Sequence, residues 1–209
     1  MTNKVVPRVI TTSPKIELTS SSDAEGARQV VEAFQGIIEV IREIREFTPN
    51  ELRRKPKDEE GLYSPKDLTI RIEAKRQQKG RFKALLLHEL AHALIFASKK
   101  RMNPRQRRES YGTTLAGFFV RTIKPSLLEI ERLSVKKLGT TYIDDLFLES
   151  RKSSTAFVQY LGDKAEEVLC DLFALYCLTE FNGLNRELSA QFEALLEELE
   201  LPSPEYSLR

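Results

Sequence analysis

The amino-acid sequence predicts an α+β domain, predominantly helical, with a small sheet beside one buried helix. Three observations carry this. Phe82, Leu85, Leu86, Leu87, Leu90, Ala91, Ala93, Leu94, Ile95 and Phe96 make a run that is apolar nearly all round, as befits a helix inside a core. Just upstream, Leu68, Ile70, Ile72 and Ala74 alternate with Thr69, Arg71, Glu73 and Lys75, the period of a half-buried strand. Several other stretches carry apolar residues at helical spacing and stop at Gly or Pro.

Residues 1–22 are rich in Ser, Thr and Pro and read as an extended arm. Ser22-Asp23-Ala24-Glu25 has the form of a capping box and opens a helix expected to reach about Phe47. Val30, Phe34, Ile37, Ile41 and Ile44 form its stripe, and Thr48-Pro49 ends it. Residues 50–66 read as a charged loop, followed by the strand at 68–75, Gly80 and the buried helix. Residues 99–112 are basic and polar and read as another loop. Pro125 opens a helix to about Leu138, closed by Gly139. Tyr142 to Ser150 is a short helix and 151–158 is irregular. Helices then run from Lys164 to about Glu180 and from Leu184 to Leu201, the latter with Leu188, Phe192, Leu195 and Leu199 as its stripe. The expected organisation is an arm (1–22), a single domain (23–201) and a short tail (202–209).

At 209 residues the chain can bury a sizeable core. A net charge of +2, with many charges of both signs, creates no global field that selects nucleic acid or a membrane. No apolar run approaches the roughly 20 residues of a membrane span, and Met1 to Pro7 lacks the apolar core of a secretory leader. Cys170 and Cys177 lie seven apart on one expected helix, about 10 Å along its axis, too far for a disulfide. A reducing, cytoplasmic setting is the default expectation, with export by another route left open. Lys99, Lys100, Arg101, Arg105, Arg107 and Arg108 form a basic run without aromatic interleaving, so a solvated loop is expected and no nucleic-acid partner.

The chemistry is concentrated in the buried helix. The chain has two histidines, in His88-Glu89-Leu90-Ala91-His92. On a helix, residues i and i+4 share a face, so both imidazoles reach one metal ion, and Glu89 stands where it can activate a metal-bound water. Polar groups in so apolar a helix need a partner, and a metal supplies one. A two-histidine zinc site requires a third protein ligand, and no third histidine exists. Glu167 and Asp171 lie i, i+4 on a later helix: Glu167 is suited to bind Zn2+ and Asp171 to accept the second N–H of a ligating histidine. Glu166 and Cys170 are rival ligands, with Glu149 and Asp145 more distant ones.

A helical H-E-x-x-H followed by a later helical Glu167-x-x-x-Asp171 resembles the zincins whose third ligand is glutamate. Within them it resembles the lethal factor-like metallopeptidases, which include the Pro-Pro endopeptidases. That group has a tyrosine seven residues before the ligand glutamate, matched here by Tyr160 before Glu167. The register favours Glu167 over Glu166, and Tyr160 over Tyr142 or Tyr111. The resemblance spans residues 68 to about 180. The stretch between His92 and Glu167 is longer than expected for compact members, and 113–150 reads as a helical insertion. The resemblance implies a zinc-dependent endopeptidase acting on a protein or peptide. His88, His92 and Glu167 would hold zinc, Glu89 would be the general base, and Tyr160 would donate to the developing oxyanion. In such folds the strand preceding the active-site helix, here 68–75, borders the cleft and pairs with substrate. The other class compatible with the sequence is a non-catalytic interaction module on the same fold, with zinc structural or absent.

Overall fold

The computed structural model describes residues 13–34, 37–57, 59–73, 81–132, 141–179, 186–204 and Leu208. Strands β1 (Lys15–Glu17), β2 (Glu43–Glu46), β3 (Gly61–Ser64) and β4 (Thr69–Ile72) form one mixed sheet in the order β1-β2-β4-β3. β1, β2 and β4 are parallel, and β3 runs antiparallel on the outer side of β4. The helices are α1 (Ser21–Glu32), α2 (Pro49–Leu52), α3 (Arg81–Arg101), α4 (Pro104–Arg108), α5 (Leu115–Phe118), α6 (Lys124–Arg132), α7 (Thr141–Lys152), α8 (Ser154–Thr179) and α9 (Arg186–Glu198). The α+β, mainly helical expectation therefore holds.

α3 is the centre of the molecule. It packs against α8, α1 and the β3–β4 hairpin. Its Leu86, Leu87, Leu90, Ala93 and Ile95 are fully buried, and each large apolar side chain so placed contributes about 1.5–3 kcal/mol. α8 answers with Val168, Leu169, Leu172 and Leu175, equally buried.

Several local expectations are corrected. α1 stops at Glu32 rather than near Phe47, and Ile44 lies in β2. Ile37, Ile41 and Ile44 are buried as the stripe required, but Glu43-Ile44-Arg45-Glu46 also fits a two-residue period, and pairing with β1 and β4 selects the strand. The cap of α1 is Ser20, whose Oγ accepts from Asp23 N at 3.2 Å, not Ser22. The 50–66 segment contains β3, and Thr48-Pro49-Asn50-Glu51 starts α2 with a complete capping box. The basic loop expected at 99–112 is helical: α3 continues to Arg101, Asn103 caps α4 with Pro104 first in the helix, and π-helical turns at Glu109–Thr114 and Phe119–Ile123 carry the path to α6. α8 begins at Ser154, so 154–158 is not irregular, and Ser153 Oγ accepts from Ala156 N at 3.0 Å.

At the ends of the described chain, residues 15–17 of the expected arm are β1, and Leu208 of the expected tail is buried, its N–H donating to the Cys177 carbonyl at 3.2 Å. Expectations for 1–12, Ala74, Lys75, Gly80, Leu138, Gly139 and 180–185 fall outside the described residues. Cys170 and Cys177 are free and buried. Among the described residues no helix is long and apolar enough to cross a membrane.

Candidate metal centre

α3 presents His88 and His92 one turn apart, and α8 brings Glu167 and Asp171 one turn apart against them. His88 Nε2 and His92 Nε2 are 3.2 Å apart, and Glu167 Oε2 is 3.3 Å from each. Donor atoms at zinc distances of 2.0–2.1 Å on a tetrahedron are about 3.3–3.4 Å apart. The three atoms thus have the spacing of three corners of such a tetrahedron, and the donor set is one that zinc takes.

Neighbouring carboxylates face the other nitrogens of the two histidines. Asp171 Oδ1 is 2.8 Å from His88 Nδ1. Its Oδ2 accepts from the main-chain N–H groups of Tyr142 at 2.8 Å and Ile143 at 3.2 Å, at the start of α7. Glu166, one residue away in register, turns to the other nitrogen of His92: its Oε1 lies 3.6 Å from Nδ1, and its Oε2 is bound by Lys99. Cys170 Sγ and a nitrogen of each histidine also lie within 4.8 Å of one another, a second possible donor group, but Cys170 is fully buried and takes no part in the cleft wall, whereas Glu167 lines it. Asp145 lines the cleft, whereas Glu149 is engaged with Lys152 at 2.6 Å.

The carboxylates around the two imidazoles favour positive charge there. Burial works against a charge on His88, yet hydrogen bonds to Asp171 and Glu167 outweigh it and raise its pKa to about 10. Burial likewise opposes a charge on His92, and Cys170, Glu166 and Glu167 together override it. Hydrogen bonds from both histidines hold the Glu167 carboxyl well below the usual range. The centre is therefore built to accept positive charge, which a proton or a metal can supply.

Glu89 sits beside it, buried. Burial raises its pKa, opposed by the two histidines and by the Tyr63 main-chain N–H. β3, which carries that N–H, can approach because residue 61 is glycine: a Cβ there would stand 2.7 Å from Glu89 Oε1. The strand bordering the cleft is thus β3. β4, expected there, is paired on both sides and has no free edge. Its Thr69 is buried, and Arg71 is held by Glu51 at 3.0 Å and by Asp67, so neither faces a substrate.

A cleft of about 870 Å³ opens over these groups, with Leu62, Tyr63, Phe96, Tyr142 and Tyr160 in its walls. Tyr160, expected to reach the reacting oxygen, points its hydroxyl at the Tyr142 carbonyl, 3.4 Å away. Tyr111 is engaged elsewhere, donating to Ser98 Oγ at 2.8 Å. In the basic run, Lys99 pairs with Glu166 and Arg101 with Glu200, which engages two of its charges within the chain. Sequence reasoning missed Gly61, which nothing local marks, and the place of Glu166 as the partner of His92, which its i, i+1 position beside Glu167 concealed. No family model, curated protein or solved structure matches the chain.

Proposed function

We propose that the chain is a zinc-dependent endopeptidase of the glutamate-ligand zincin kind, with His88, His92 and Glu167 as metal ligands. The observation that carries this reading is the convergence of His88 Nε2, His92 Nε2 and Glu167 Oε2 to within 3.2–3.3 Å of one another at the floor of an open cleft. When bound there, zinc supplies Lewis acidity, polarising a peptide carbonyl and lowering the pKa of water toward about 7.

The chain's own residues perform the rest. Glu89 takes a proton from the attacking water as the water oxygen bonds to the carbonyl carbon and the carbonyl π pair moves onto oxygen. The carbon–nitrogen bond then breaks, Glu89 passes its proton to the departing nitrogen, and a carboxylic acid and an amine leave with one water consumed, the acid then giving its proton to the amine or to solvent. Burial raises the affinity of Glu89 for that proton, and the Tyr63 N–H favours its charged form. Asp171 orients His88, and Glu166 stands 3.6 Å from the second ring nitrogen of His92. Among the described residues β3 has no strand on its side away from β4, and that edge suits an extended peptide backbone.

Glu89 favours catalysis over a purely structural zinc, which needs no base. The test is metal analysis of the purified protein with a peptide-library digest, with and without chelator, on the wild type and Glu89→Gln. The expected result is one zinc in both proteins, with chelator-sensitive cleavage by the wild type alone. Cleavage that survives chelation, or that persists in Glu89→Gln, sinks the reading.

A further inference from the structure

We propose that Tyr142 is the phenol that serves the reacting carbonyl, and that Tyr160 acts through it as a positioning residue. This rests on the peptidase reading above and assigns a role within that site.

Four contacts define the place of Tyr142. Its ring stacks on His88, with centroids 5.8 Å apart and planes 19° from parallel. Its main-chain N–H donates to Asp171 Oδ2 at 2.8 Å, and the other oxygen of that carboxylate holds His88. Its carbonyl accepts the Tyr160 hydroxyl at 3.4 Å. Lys164 Nζ lies 5.8 Å from its ring centroid. Tyr142 is therefore held by Asp171, the carboxylate that also holds His88, and it lines the cleft.

Both tyrosines line the cleft, but the Tyr160 hydroxyl is spent on the Tyr142 carbonyl, whereas the Tyr142 ring lies against His88. A phenol that keeps its proton at neutral pH donates a hydrogen bond to the carbonyl oxygen as that oxygen gains charge, and no proton changes owner. Segment 113–150 thereby contributes to the site itself: α7 delivers the donor, and the tyrosine of α8 steadies its carbonyl.

The test compares Tyr142→Phe, Tyr160→Phe and the double variant, all zinc-loaded. Inorganic phosphate, a tetrahedral oxyanion, is titrated calorimetrically, and kcat and KM are measured on a peptide recovered from the library digest. Tyr142→Phe is expected to keep zinc stoichiometry, to weaken phosphate binding at least about tenfold, and to lower kcat with KM within about threefold. Tyr160→Phe is expected to lower kcat less, and the double variant to be no worse than Tyr142→Phe, because Tyr160 works through Tyr142. Additive losses, or a larger phosphate loss in Tyr160→Phe, overturn the assignment. Zinc bound with no peptide cleaved overturns the peptidase reading alone; equal phosphate affinity in the wild type and Tyr142→Phe overturns this assignment alone.

Discussion

Asp171 Oδ1 lies 2.8 Å from His88 Nδ1, deep in the α3–α8 interface, where Asp171 is 3% exposed. A buried carboxylate is costly unless every lone pair is used. Here the second oxygen takes two N–H groups from the first turn of α7, so one side chain orients an imidazole and caps a helix.

Asp171→Asn should therefore act at two places. Zinc affinity is expected to fall about 10–100-fold, the usual cost of losing such a partner. Amide exchange at Tyr142 and Ile143 should quicken in the same protein. Zinc titration and residue-resolved hydrogen exchange check this, and unchanged zinc affinity would refute it.

Glu167 and Glu166 are adjacent but face different nitrogens of the histidine pair. Glu167→Ala should lose zinc stoichiometry, whereas Glu166→Ala should keep it with an affinity about tenfold weaker. Cys170→Ala should keep zinc, at a cost in stability for the buried thiol. Similar retention in Glu167→Ala and Glu166→Ala would move the ligand elsewhere.

Gly61 gives Glu89 its room. A Cβ would meet Glu89 Oε1 at 2.7 Å, Glu89 Cγ at 2.9 Å and Leu85 Cδ1 at 3.0 Å. These are side-chain atoms that can shift, so Gly61→Ala should fold, losing about 1–2 kcal/mol. The displaced carboxylate should lower kcat at least about tenfold at unchanged zinc content. Wild-type kcat in Gly61→Ala would show that the β3 approach does not position the base.

Away from the site, Glu51 binds Arg45 through two bonds, at 2.7 and 2.8 Å, and Arg71 at 3.0 Å, tying α2 to β2 and β4. Its hydrogen bond to Arg45 holds its carboxyl far below the ordinary value of 4.5, against the opposing effect of burial. A depressed acid contributes stability above its unfolded value and loses it as pH falls toward the folded one. Glu51→Gln should thus cost about 1 kcal/mol at pH 7, a figure kept small because the side chain is 32% exposed. The gap should narrow below pH 4.5. Urea melts from pH 7 down to 3 measure it, and a gap that widened in acid would contradict the argument.

The sequence by itself determined what local periodicity controls. Residues four apart on a helix share a face, so His88 with His92, and Glu167 with Asp171, were legible as pairs before any packing was known. The apolar surround of each pair likewise marked α3 and α8 as buried. The alternation around Ile70 and Ile72 marked a strand. Even the start of α4 was written in Asn103-Pro104-Arg105-Gln106, a cap that the basic residues around it obscured.

Only the tertiary structure decided what depends on partners distant in the chain. Glu43–Glu46 is a strand because Lys15–Glu17 and Thr69–Ile72 flank it, and its own pattern suited a helix as well. β3 borders Glu89 because it, not β4, is the edge strand of the sheet among the described residues. Tyr142 stands against His88, with Tyr160 behind its carbonyl, because α7 is capped by a carboxylate from α8. Helical spacing specifies a face, but which surface meets that face is set by the packing of whole elements and by the need to satisfy every buried polar group.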